Sequence, residues 1–379
     1  MPRPIVVVDP LFRQRLHQLR TDRGLTFRGL GKVTNYSHTM LWEIEQGRKQ
    51  PSPAMAARLD TALAASGQLA ALVTTRSATA PRSPDDEDRL ARMASRPRTV
   101  DRGALCSLAA ILGEQRRLED AVGSGPLLAP VAAQLTVVES LVTEARGAIR
   151  PAVLDIGAQW AQFLGWLSTN THHAVDGRRW YERALHWATE AGDANMIATA
   201  LNMTGHLEWL AGNVGPVIGL SQAAGRQPAS PGIRALAAQQ EARGHALAGE
   251  PNDTDRMLDR AVILAAEAAE QFENEPPWVY FHNPDYLTMQ RGLAYRYLGR
   301  YREAMGLLMA GLAAMPADVR QSEWVGVYVY QMARAHTETG DRDAALAALA
   351  EVNQIATATG SARLQRLATQ LRHRLGAVS

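Results

Sequence analysis

Arg243, Arg296 and Arg334 fall in three Ala- and Leu-rich helical segments, each in the company of amide or aromatic residues. Stepping by three and four residues, as one face of a helix requires, gathers a stripe. It comprises Gln162, Trp166 and Thr169; Asn202, His206 and Trp209; Gln239 and Arg243; Tyr286 and Arg296; and Tyr330 and Arg334. Amides can bond a peptide backbone, rings supply contact area, and guanidinium groups hold a carboxylate through two parallel bonds. A face with only structural duties would more often carry short charges of both signs. The competing expectation is that several of these rings are core, and that the arginines pair with Glu or Asp of neighbouring helices.

Catalytic chemistry finds less support. His172, His173 and His186 lack a helical ligand spacing partnered by carboxylates and read as solvated hairpin residues. Gly29-Leu30-Gly31 has no strand before it, so it is not a phosphate loop. Cys106, the single cysteine, lies among Leu105, Leu108 and Ala109 and is expected to be an inert core thiol. One cysteine also excludes an internal disulfide framework and a cysteine-rich zinc site. The expectation is a protein that is not an enzyme and uses no metal or cofactor.

These side chains must be placed by helices. The chain has 379 residues and is 46% hydrophobic and 21% charged, a globular composition with room for two or three domains. No run approaches 18 consecutive apolar residues, and Ile5–Val8 is too short for a secretory segment, so a cytoplasmic protein is expected. Residues 1–75 carry ten Lys and Arg against five Asp and Glu, whereas the remainder is slightly acidic. A basic module on a near-neutral body suits a polyanion at one end and another task at the other.

Within the basic module, Asp9-Pro10 opens a helix whose Leu11, Leu16 and Leu19 share a face, ending at Gly24. Thr26 caps a second helix, Ser37 caps a third after the turn at Asn35, Pro51-Ser52-Pro53 opens a fourth, and Gly67 precedes a short fifth. Residues 74–100 turn rich in Ser, Thr, Pro and Arg and read as a linker with one helical turn in the middle. Beyond Val100 the pattern is helical throughout, giving an all-α fold class. Residues 101–150 read as connecting helices and 151–379 as a repeat array.

In that array a small residue, a turn glycine seven positions later and a further small residue recur in register. The sets are Gly205, Gly212 and Ala224; Ala242, Gly249 and Ala261; Gly292, Gly299 and Ala304; and Ala333, Gly340 and Ala345, with a weaker set at Gly165, Gly177 and Ala184. Gly292-Leu293-Ala294-Tyr295 with Leu298-Gly299, Tyr301, Ala304 and Pro316 resembles the tetratricopeptide repeat, and the neighbouring hairpins are similar to lengthened copies. The resemblance implies an α-solenoid of stacked hairpins. Between two of these units lies a longer connection, residues 272–285, rich in aromatic residues. It is expected to be either a lid or a loop that plugs its rings into the solenoid.

Leu25-Thr26-Phe27-Arg28-Gly29-Leu30, followed by Asn35, Ser37, Ile44-Glu45 and Gly47, resembles the phage-repressor-type helix-turn-helix of the xenobiotic-response-element regulators. The resemblance covers residues 9–73 and implies double-stranded DNA as partner. It would put the third helix in the major groove. His38, Thr39 and Glu43 then fall where base edges are read, Ser37 near a phosphate, and Trp42 on the sugar-phosphate backbone or partly buried. Arg28, Lys32, Arg48 and Lys49 would touch phosphates. Leu30, Leu41 and Ile44 should be core. Joined modules of this kind are similar to signalling-peptide-responsive regulators. The combination implies a homodimeric transcriptional regulator whose solenoid senses a peptide or small anionic molecule, with a protein-docking adaptor as the alternative.

Overall fold

The computed structural model describes residues 5–8, 11–34, 36–45, 49, 51–63, 65, 67–76, 84–271, 274–279, 283–315 and 317–377. It divides into two compact units, Met1–Ser83 and Pro84–Ser379. Asp9, Pro10, Asn35, Gly47, Arg48, Pro316 and the rings at Phe272, Tyr280, Phe281 and His282 lie outside the described residues.

The first unit holds α1 (Leu11–Asp22), α2 (Phe27–Thr34), α3 (His38–Glu45) and α4 (Pro53–Ala62). The expected caps form: the Thr26 hydroxyl accepts from the Gly29 N–H, that of Ser37 from Met40 and that of Ser52 from Met55, each at 3.1 Å. The expected fifth helix is a single 3-10 turn, Ala70–Leu72. It runs into β2 (Val73–Arg76), which pairs antiparallel with β1 (Ile5–Val8). Four β-branched residues in β1 suit this ladder, an addition to an otherwise helical fold. Phe12, Leu16, Leu19, Leu30, Leu41, Ile44, Leu59 and Leu63 form the core, as the 3.6-residue periodicity requires.

Two charged groups hold this small unit together. Glu45 accepts two bonds from Arg20, at 2.7 and 2.8 Å, and lies 2.6 Å from His17 Nδ1, tying α1 to α3. Burial would raise the Glu45 pKa, but Arg20 and His17 outweigh it and hold the carboxyl below its ordinary value. Asp60 likewise stays low against its own burial, because its carboxylate accepts from the N–H groups of Gly67, Leu69 and Ala70. That set of bonds fixes the turn leading to β2.

In the second unit, α5 (Pro84–Ser95), a helix of 12 residues, occupies much of the stretch expected to be a linker with one helical turn, which corrects that expectation. Its Asp-rich start and Met93 explain the difference, since Met93 is buried in the same core as Leu105 and Leu108. Next come α6 (Arg102–Val122), α7 (Gly125–Glu144), α8 (Arg150–Asn170), α9 (Ala174–Ala191), α10 (Ala194–Ala211) and α11 (Val214–Gly225). They are followed by α12 (Pro231–Ala248), α13 (Pro251–Glu270), α14 (Pro284–Tyr297), α15 (Tyr301–Ala314), α16 (Ala317–Arg320), α17 (Glu323–Glu338), α18 (Arg342–Ala358) and α19 (Ala362–Ala377).

Adjacent helices form antiparallel hairpins, and α8, α10, α12, α14, α17 and α19 also pack on one another in succession as one layer. Helices α9, α11, α13, α15 and α18 back them. Glycines 212, 249, 299 and 340 have φ between 76° and 81°, the left-handed stops expected between paired helices. The register fails at Gly177, which lies inside α9; the α8–α9 turn is made instead by His172, at φ 67°. His172, His173 and His186 are exposed.

Cys106 is exposed, not the core thiol expected: the buried stripe of α6 runs through Leu105, Leu108 and Leu112, and Cys106 falls beside it. Helix α7 is long and apolar enough to cross a membrane, yet its Val131, Leu135, Val138 and Leu141 are buried in the core shared with α8.

Candidate functional site

Helix α3 is built to show one face. Leu41, Ile44 and Glu45 point inward, leaving His38 and Thr39 exposed, Trp42 37% exposed and Glu43 half-buried. Arg28 and Lys32 are exposed on α2, and Lys49 is half-buried after α3. The Ser37 side chain is exposed as well as capping α3. Gly31 lets the turn pass close to α2, because a Cβ there would meet the Tyr36 carbonyl oxygen at 2.6 Å. Arg28, Lys32, Ser37, His38, Thr39, Trp42 and Glu43 thus lie on α2, α3 and the turn between them, and the two helices pack on each other. Arg48 lies outside the described residues.

The second unit forms a cavity of about 180 Å³ that is partly open to solvent. Of the stripe expected from the sequence, Gln162, Trp166, Asn202, His206, Trp209, Gln239, Arg243 and Tyr286 line it. Thr169 does not: its hydroxyl bonds the Gly165 carbonyl and faces Tyr181 of α9. Arg296, Tyr330 and Arg334 are corrections as well. Arg296 stacks over Tyr297 at 4.4 Å, Arg334 pairs with Glu338 at 4.0 Å, and Tyr330 is buried in the core outside the cavity wall.

A steady drift explains these misses. The lining residues run over 162–170 near the end of α8, 199–209 in α10, 233–243 in α12, 286–293 in α14 and 323–328 at the start of α17. Each hairpin is rotated against the last, so the cavity axis crosses each successive helix nearer its N-terminus. One fixed offset from the repeat anchors therefore overshoots in α14 and α17.

Several wall residues carry no repeat signal. Arg116, Glu119 and Asp120 come from α6, Arg363 from α19, and Trp278 from the connection between α13 and α14. The Trp278 indole N–H bonds the Thr199 hydroxyl at 3.1 Å, and its ring lies under Arg116 at 5.5 Å. Of the two roles expected for the 272–285 connection, Trp278 takes the plug.

The turn between α6 and α7 closes the array. Ser124 donates its hydroxyl to Glu119 at 2.5 Å, accepts from Asn170 at 3.1 Å, and turns its backbone N–H to Glu323 at 3.5 Å. Asn170 accepts from Arg363 at 3.0 Å, and Ser361 donates to Glu323 at 2.6 Å. First and last helices are thus stitched into a ring, not left as an open groove. Burial, with the nearby Asp120 and Glu323 charges, lifts the Glu119 carboxyl to about 7 against the bonds from Ser124 and the Trp166 indole.

On the other side of the wall, Arg243 lies over Trp209 at 4.3 Å and donates to Gln290 at 2.8 Å. Its second terminal nitrogen is 3.4 Å from His206 Nδ1. Burial, reinforced by Arg243 and Arg363, holds His206 well below its ordinary pKa, so the imidazole is neutral. Arginine can only donate, so Nδ1 is the acceptor and Nε2 carries the hydrogen.

The helix-turn-helix domain family matches residues 11–73. That span takes in α1 through the start of β2 and includes the exposed face of α3. The match supports a DNA-binding regulator and does not extend into the second unit. No curated protein matches the chain.

Proposed function

We propose that the chain is a sequence-specific DNA-binding transcriptional regulator whose second unit binds a small molecule in its ring cavity. The reading is carried by the helix-turn-helix match over 11–73, joined to the outward face of His38, Thr39, Trp42 and Glu43 on α3. Groups of these types can read donors, acceptors and methyl groups in the major groove, with Arg28, Lys32, Arg48 and Lys49 at phosphates. Ring closure around polar and aromatic side chains supports a sensing role.

One such domain reaches few base pairs, so the protein is expected to act as a homodimer on an inverted repeat, its half-sites about 34–36 Å apart. Selection of duplex DNA from a random pool by the full-length protein tests the reading. The expected product is a two-fold symmetric motif, bound with an affinity that falls steeply with salt. Glu43→Ala should relax preference at one base pair by roughly 1–3 kcal/mol, whereas Lys49→Ala should weaken all sequences alike. Recovery of no motif, together with a stably co-purifying protein partner, would replace this reading with an adaptor.

A further inference from the structure

The cavity wall says what kind of molecule it suits. Arg243 is 5% exposed, and neither it nor Arg363 makes an ion pair with a described carboxylate. Their bonding partners are neutral: Gln290 and His206 for Arg243, and Asn170 for Arg363. Burial and the nearby Arg243 lower the half-buried Arg363's pKa, against the attraction of the Glu323 carboxylate, which also serves Ser124 and Ser361. A buried cation such as Arg243, whose direct partners are all neutral, is costly and is normally compensated by an anion.

Neutral groups beside them point the same way. His206 Nε2 and Gln239 Nε2, both on cavity-lining residues, have no hydrogen-bond partner among the described residues. His206 Nε2 is a donor by the argument above. Gln239 Nε2 is one by its chemistry, its oxygen being used by the Tyr286 hydroxyl at 3.3 Å. Two of the three carboxylates on the wall, Glu119 and Glu323, are engaged in closing the ring.

Size and shape add two constraints. Trp166, Trp209, Trp278 and Trp324 supply flat walls. A cavity of roughly 150 Å³ takes one benzene ring. The 180 Å³ here is a little larger and suits one aromatic ring with a short acidic group. An extended peptide has no open groove to lie in, because α6 and α7 are joined to α17 and α19.

We propose that the ring cavity binds a small aromatic carboxylate, with its carboxylate at Arg243, Arg363, His206 and Gln239 and its ring against the tryptophans. The proposal deepens the regulator reading and rests on it for the consequence of binding, though not for binding itself.

Calorimetry and thermal melting of the full chain test it. The probes are benzoate, phenylacetate and indole-3-carboxylate, each paired with its uncharged carboxamide, with free tryptophan and a flexible pentapeptide beside them. At least one acid should bind tenfold or more tightly than its amide and raise the melting temperature. Arg363→Gln should abolish that preference, and Arg363→Lys, which keeps the charge, should retain part of it. Equal affinity for acid and amide, stronger binding of the pentapeptide or of tryptophan, or no binding by any acid would overturn the proposal. The acid preference is read in wild type, so the test survives a variant that folds poorly. Affinity for the selected operator with and without the acid separates the two levels. Acid binding without any operator effect upholds the ligand class against the regulator reading. An operator that responds to host-cell metabolites while no acid binds does the reverse.

Discussion

Glu45 shows how much one carboxylate can organise in a unit this small. It joins α1 to α3 through Arg20, whose guanidinium also covers the Phe27 ring at 4.1 Å and bonds the Leu25 carbonyl. Glu45→Ala would leave Arg20 in place without its partner, and a loss of roughly 2 kcal/mol is expected, between the values of surface and buried pairs. Removing both charges, as Arg20→Met with Glu45→Leu, should cost less than the single change. Calorimetric melting of the full chain would show this in the transition of the first unit. The folded pKa of Glu45 lies below its ordinary 4.5, so its contribution is complete above that value and is lost as pH falls through the folded pKa. Glu119 has the opposite sign. Its folded pKa of about 7 exceeds the ordinary 4.5, so the folded ring holds the proton more tightly and loses stability as pH rises from about 4.5 through 7. Glu119→Gln should flatten that slope, a difference on the order of 2–3 kcal/mol at pH 8. Denaturant melts at pH 5 and pH 8 would measure it. In the sequence, Glu45 was visible only as part of a motif, and Glu119 only as one charge in Arg116-Arg117-Leu118-Glu119. Nothing local could say that either partner lay on another helix.

At the scale of elements, small residues divide into those that are needed and those that are merely present. A Cβ on Gly165 would stand 2.6 Å from the Tyr181 ring, and one on Gly292 2.9 Å from Leu308 and 3.1 Å from the Ala304 carbonyl. On Gly205 it would meet nothing closer than 3.6 Å. Gly165→Ala and Gly292→Ala should therefore destabilise the second unit. Gly205→Ala should be neutral or stabilising by about 0.5–1 kcal/mol, since alanine favours the helix. Denaturant midpoints of the three variants decide the point. The repeat pattern located these close approaches and the hairpins around them. It did not reveal α5, whose only apolar anchors are Leu90 and Met93, nor the drift that carries the cavity away from Arg296, Tyr330 and Arg334. Periodicity reports which face of a helix is turned inward. It carries no record of how far along that face the axis of a superhelix passes.

Across the whole molecule, the least legible feature was the meeting of the ends of the second unit. Ser124 faces Glu323, 199 residues away in sequence, and Asn170 holds Arg363, 193 residues away. Gly123 makes this approach possible: at φ 76° it is in a conformation that favours glycine, and a Cβ there would stand 2.8 Å from the Thr359 carbonyl oxygen. Gly123→Ala should loosen the junction, with faster amide hydrogen exchange in α19 and weaker cavity binding, while exchange in α10 to α13 stays slower. An open solenoid is close to one-dimensional: its repeats lend stability only to their neighbours, and folding can begin anywhere and spread. Closure gives up that independence. The chain must bring together segments nearly 200 residues apart before the junction forms, which favours slow, highly cooperative folding. It also fixes the repeat count, because adding or deleting one hairpin would move Glu323 and Arg363 off Ser124 and Asn170. Open arrays can evolve by gaining and losing repeats. This one can change its cavity only by substitution in place.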